Sequence, residues 1–117
     1  MEGFMLLLHD RTTQQGDLSP EEIQGIIAEY VAWRDKIAEQ GLLIGGEKLA
    51  DDEGRQLVLD DGAIRVTDGP YAEAKEVLGG YFAIKAADYD EAVEISKDCP
   101  HLKYGGRIEL RKIDNHR

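Results

Sequence analysis

Apolar and polar positions alternate along the chain in segments whose periods differ, and those periods predict the elements. Phe4 to Leu8 is an almost unbroken apolar run, as in a central buried strand, ended by His9-Asp10-Arg11. A helix follows. Ser19 is an N-cap, Pro20 suits the first helical position, Glu22 completes a capping box, and Leu18 and Ile23 hold the two positions of a hydrophobic staple. Ile23, Ile26, Ile27, Tyr30, Trp33 and Ile37 recur at three- and four-residue steps as one apolar stripe, and Gly41 closes the helix. Leu42 to Leu49 reads as a strand in which Gly45-Gly46 mark a bulge or a close approach by another group. After a turn at 51–54, Leu57–Leu59 and Ala63–Val66 flank Asp61-Gly62, the signal of a tight hairpin, and Thr67-Asp68-Gly69-Pro70 stops its second arm.

Residues 71–77 (YAEAKEV) are expected to make one or two helical turns, and Gly79-Gly80 precede a strand from Tyr81 to Ala86. Asp88 and Glu91 read as a second capping box for a short helix with Tyr89, Ala92, Val93 and Ser96 on its inner face. Pro100 ends that helix, and Arg107 to Ile113 is the last strand. The order is β-α-β, hairpin, β-α-β. It predicts an α+β fold, a ferredoxin-like βαββαβ sandwich with an extra β-hairpin, whose antiparallel sheet carries both helices on one face. The other face is left bare, so a homodimer is expected. One domain is expected over 1–117, with its core at about 4–113 and a short tail at 114–117.

Composition narrows the classes. The chain has 117 residues, 42% hydrophobic and 32% charged, as in a soluble globular protein. A single Cys makes no internal disulfide, and no apolar run approaches the ~20 residues of a membrane span, so the protein is expected in the cytoplasm without a membrane partner. The net charge of -10 argues against nucleic-acid binding, which needs clustered Lys and Arg. That charge is uneven: residues 1–60 hold 13 acids and 5 bases (-8), residues 61–117 hold 11 and 9 (-2). The last 17 residues reverse the sign with Lys103, Arg107, Arg111, Lys112 and Arg117 against Glu109 and Asp114. They form either a patch for an anionic ligand or the solvent face of a strand whose Ile108 and Leu110 face the core.

Asp68-Gly69-Pro70-Tyr71-Ala72-Glu73, then Lys75-Glu76 and Leu78-Gly79-Gly80-Tyr81-Phe82, resemble the signature of the DGPF family within the YCII-related proteins. Leu18-Ser19-Pro20-Glu21-Glu22, Gly45-Gly46-Glu47 and Cys99-Pro100-His101 agree with it, and the resemblance runs from about Phe4 to Ile113. Tyr71 departs from the Phe of the family name and keeps the aromatic ring. The resemblance implies a dimeric α+β barrel in which two ferredoxin-like sheets pack face to face, and a family most of whose members have no established activity. Related YCII-type proteins carry a His–Asp pair in a cleft as a proposed catalytic dyad, and one branch dehydrochlorinates chlorinated hydroxyquinols.

The candidate site residues are few. His101, in the loop before the last strand, and His9, at the end of the first, are the candidate acid–base groups, since imidazole titrates near neutrality. Asp68 is either a turn-capping residue or the carboxylate that orients a histidine. Glu47, Tyr71 and Lys75 are candidate substrate contacts. Cys99, at a helix C-terminus where the dipole opposes a thiolate, reads as a packing residue. Three scattered His and one Cys give no metal-ligand set, and none of the glycine pairs has dinucleotide-binding spacing, so no cofactor is expected. These residues point to cofactor-free proton transfer or elimination on a small anionic or phenolic molecule. The rival is a non-catalytic ligand-binding or protein-interaction module, its acidic surface docking on a regulatory partner of transcription.

Overall fold

The computed structural model of the chain describes residues 1–11, 18–69 and 75–114. The elements run β1 (Glu2–Arg11), α1 (Pro20–Glu39), β2 (Leu43–Lys48), β3 (Arg55–Asp60), β4 (Ala63–Asp68), β5 (Glu76–Ala86), α2 (Tyr89–Ser96), α3 (Pro100–Lys103) and β6 (Arg107–Lys112). Four strands form an open antiparallel sheet in the order β2-β5-β1-β6, and β3 and β4 pair as a separate ribbon. The described sheet does not close into a barrel.

The side-chain period of β1 divides the two faces. Phe4, Leu6 and Leu8 point into one buried cluster with Phe82 and Ile84 of β5 and Trp33 and Ile37 of α1. Ala92 of α2 belongs to the same cluster, so both longer helices cover that face. Trp33 meets Phe82 edge-to-face with ring centroids 5.0 Å apart, and Phe4 meets Tyr89 at 4.9 Å. Met5, Leu7 and His9 necessarily point to the opposite face, which no described helix covers.

The first helix forms as its sequence dictates. The Ser19 hydroxyl accepts from the Glu22 N–H while Glu22 accepts from the Ser19 N–H, the reciprocal capping box. At the other end Gly41 takes φ 74°, and Leu42 N–H and Gly41 N–H bond to the Ile37 and Ala38 carbonyls, so the chain turns sharply into β2. In β2 the ladder shifts between Leu43 and Gly45, and a Cβ on Gly46 would lie 2.7 Å from Cδ1 of the Phe82 ring. The glycine pair thus serves both a bulge and a close approach.

Several expectations need correction. β1 extends through His9-Asp10-Arg11, because β5 and β6 pair with it as far as His9 and β5 as far as Arg11. Glu76 and Val77 belong to β5, whose backbone finds ladder partners on β1 there, and Lys75 is a bend; the rest of the expected helical turns, at 71–74, lies outside the described residues. Gly79 is the extra residue of a bulge opposite Leu8/His9, within the strand rather than before it. Pro100 opens α3 at its first position instead of only ending a helix, and Cys99 is its N-cap. The second capping box is half formed: Asp88 accepts from Glu91 N–H, but the Glu91 carboxylate reaches back to Ala87 N–H, one residue beyond the cap. In α1 the apolar stripe is buried only over its second half; Ile23 and Ile27 remain exposed beside the core-facing Trp33 and Ile37.

Candidate functional site

The chemistry-bearing side chains gather where β1 leaves the sheet and β5 and β6 enter it. His9 projects from β1 onto the helix-free face. Its Nε2 lies 3.0 Å from Oε1 of Glu109, a diagonal neighbour on β6. A carboxylate only accepts, so Nε2 carries a proton, and in the neutral ring Nδ1 holds the lone pair. Among the described residues Nδ1 has no partner. The pair is neither sealed nor fully wet, with side-chain exposures of 18% for His9 and 35% for Glu109. The hydrogen bond from His9 holds the Glu109 carboxyl below its ordinary range. Beside it Arg107, directly opposite His9 on β6, forks onto Glu76 of β5 with Nε and Nη2 at 2.8–3.1 Å from the carboxylate oxygens, which likewise lowers Glu76.

His101 lies on the other side of the same peptide in a different setting. It is 4% exposed, and its Nε2 donates to the His9 carbonyl at 2.9 Å. Because a carbonyl only accepts, Nε2 bears the proton here as well. In the neutral ring Nδ1 then accepts from the Tyr30 hydroxyl at 2.9 Å. Burial pushes the Tyr30 phenol well above its usual value, so this hydroxyl keeps the proton it donates. Asp10 approaches Nε2 at 3.8 Å from its half-exposed position. The ring fits only because residue 106 is glycine: a Cβ there would lie 2.2 Å from Nε2. Gly79 does the same for Asp10, whose Oδ2 would lie 2.3 Å from an added Cβ.

The other candidates are distributed. Glu47 of β2 stands on one rung with Tyr81, Leu7 and Glu109 across the sheet, but three strand spacings, about 14 Å, separate its strand from that of Glu109. Asp68 is at the base of the β3–β4 ribbon, where it pairs with Arg55 in the opposite strand. The described structure therefore gives His9 the carboxylate Glu109 and His101 the carboxylate Asp10, while Asp68 is engaged with Arg55. Lys75, exposed, directly precedes Glu76, the first residue of β5. Tyr71 lies outside the described residues. Cys99 is buried, and burial pushes its thiol up to about 11.

Glu109, Tyr30, Asp10 and Gly106 were not singled out by sequence reasoning for this role. Glu109 sits in an alternating strand that reads as a solvent face, and Ile108 and Leu110 do pack against the core as that alternation requires. Tyr30 is indistinguishable from its stripe neighbours until a buried acceptor appears above its hydroxyl. Among the described residues, no group of three or more His, Cys, Asp or Glu converges as metal ligands would, and no helix is long and apolar enough to cross a membrane.

The fold and the site together define a small mixed α/β protein with an open antiparallel sheet, helices on one face and a histidine–carboxylate pair on the other. Residues 3–115 match the YCII-related domain, and the chain belongs to the YCII-related family. It is 32% identical over 112 residues to an uncharacterised protein of Rhizobium meliloti (strain 1021), covering 94% of this chain and 90% of that one.

Proposed function

We infer that this YCII-related protein is a cofactor-free acid–base enzyme acting on a small anionic or phenolic molecule, with His9 as the group that moves the proton. The hydrogen-bonded His9–Glu109 pair carries this reading. With Nε2–H committed to the carboxylate, the Nδ1 lone pair is available to a substrate proton, and Glu109 stabilises the imidazolium that results. In an elimination, Nδ1 takes the proton, the electron pair it leaves forms the double bond, and the leaving group departs with its own electrons. The imidazolium then returns the proton to the leaving group or to water. Leu7 and Tyr81 supply an apolar floor next to the pair. Arg107, Arg111 and Lys75 supply positive charge for an anionic group, and Glu47 and Tyr71 are contacts at the rim. His101 is a positioning residue that fixes the His9 carbonyl.

The helix-free face that holds the pair is also where a second copy fits. Strand order β2-β5-β1-β6 with both longer helices on one side supports reading the chain as a ferredoxin-like βαββαβ unit with β3–β4 inserted. Two such sheets facing each other form the α+β barrel and enclose the His9 site between them.

A thermal-shift screen of small phenols and organic anions, run at two pH values spanning the His titration, tests the enzyme reading. A ligand of the folded state raises the midpoint by mass action. The expected hit depends on pH and disappears in His9→Gln, while the ligand-free midpoint is kept. A hit with unchanged size and pH dependence in His9→Gln sinks the assignment.

A further inference from the structure

The β3–β4 ribbon has one wholly apolar face. Its register sets Leu57 opposite Val66 and Leu59 opposite Ile64, so all four side chains share a side. They are 65%, 53%, 72% and 63% exposed, and no described residue covers them. A two-stranded ribbon alone is marginal in water, and an apolar face this open marks a contact surface. The body of the chain does not reach it. The molecule measures 48 × 46 × 18 Å, the thickness of one helix layer on one sheet, and its radius of gyration of 16.3 Å exceeds the ~13 Å of a compact chain of this length. The ribbon thus stands out as an arm in the plane of a slab.

Charge and area say what the arm meets. Its rim charges are paired within the ribbon, Arg55 with Asp68 and Arg65 with Asp60. Residues 55–68 hold two Arg against three Asp, a net of -1 in a chain of -10. A partner recruited by the acidity of this protein has stronger attraction elsewhere. The near-neutral arm is where two acidic copies meet with little repulsion. The bare sheet face, about 20 Å on a side from strand spacing and rise, offers on the order of 400 Å². A standard interface buries roughly 800 Å² per partner, so the sheet needs a second contact.

We propose that the β3–β4 ribbon is an arm whose Leu57, Leu59, Ile64 and Val66 face lies on a second copy of this chain. The proposal rests on the sheet-to-sheet dimer inferred above, which brings a second slab alongside the arm. Sedimentation velocity over a dilution series compares the wild type with an arm variant, Leu59→Glu/Ile64→Glu, and a face variant, Leu7→Arg. Leu57→Ser/Leu59→Ser repeats the arm test without adding charge, and far-UV circular dichroism checks that each variant is folded. The wild type is expected to be a dimer, and both arm variants, folded, are expected to dissociate at concentrations at least tenfold higher. Folded arm variants that dimerise like the wild type, while Leu7→Arg does not, overturn the arm and leave the sheet dimer standing. Weakening by the arm variants alone supports the arm and removes the sheet face from the interface. A wild type that stays monomeric at every concentration overturns both.

Discussion

His9 and His101 are joined by one hydrogen bond and occupy opposite environments. His101 is enclosed, with each ring nitrogen committed: Nε2 to the His9 carbonyl and Nδ1 to the Tyr30 hydroxyl. Using it as a base requires breaking a buried bond and burying a charge against a phenol that holds its proton. His9 has one nitrogen on a carboxylate and the other without a described partner, on a face open to a ligand. The difference comes from the pleat of β1. The side chain of residue 9 leaves on the helix-free side, while its carbonyl lies in the plane of the backbone, where the ring of α3 reaches it. A histidine that is buried and fully bonded serves the scaffold; on the acid–base reading proposed above, the half-bonded and partly exposed one moves the proton.

The sharpest way to break this contrast is at Gly106. An alanine Cβ there would sit 2.2–2.5 Å from three atoms of the His101 ring, so the ring must leave its seat and lose both hydrogen bonds. Overpacking alone costs about 1–3 kcal/mol. Urea unfolding of Gly106→Ala should show a loss of that size or larger. A midpoint equal to the wild type would mean that the His101 ring is not confined by the 105–106 turn.

How much of this was legible in the sequence depends on the range of the interactions. The boundaries of α1 follow from Ser19, Pro20, Glu22 and Gly41, whose capping chemistry is local, and the chain realises each of them. The Asp61-Gly62 hairpin is local too, with Asp61 at φ 54° and Gly62 at φ 81° as such a turn requires. Glu76 and Val77 were misread because helical and extended segments of that composition differ only in whether a strand lies beside them, and β1 does. The two histidines were visible as titratable groups, but their partners are remote: Glu109 is 100 residues from His9 and Tyr30 is 71 from His101. Pairing at that distance depends on strand order. A sequence motif that groups Asp68 with its neighbours says nothing of the arm that separates them from β1.

Smaller effects sharpen the contrast from the exposed side. Glu76 and Glu109 are both held below 4.5 in the folded chain, by Arg107 and by His9 respectively. The unfolded chain therefore binds more protons than the folded one in that window. These groups' contribution is fully present above about 4.5 and is lost as pH falls through their lowered values. Glu109→Gln should flatten the fall of the unfolding midpoint as the pH drops below about 4.5. The buried His101 bonds should be untouched, so at neutral pH the midpoint should fall only by what the Glu109 carboxylate contributes there. An acid limb as steep as that of the wild type would mean that the His9–Glu109 bond is not populated in solution.

The smallest effect is expected at Asp68. It and Arg55 are each about two-thirds exposed, and exposed ion pairs contribute about 0–1 kcal/mol. The pair lies on the arm, away from the buried cluster, so neither core packing nor His9 should register its loss. Asp68→Asn is expected to shift the unfolding midpoint within error at moderate salt and to leave the pH profile of any His9-dependent ligand response unchanged. Should Asp68→Asn move that profile instead, the Asp68 carboxylate would have to reach a histidine in the assembled protein. The arm of one copy lying over the His9 face of another would bring it there, so the same substitution distinguishes an arm that only holds two copies together from one that also completes the site of its partner.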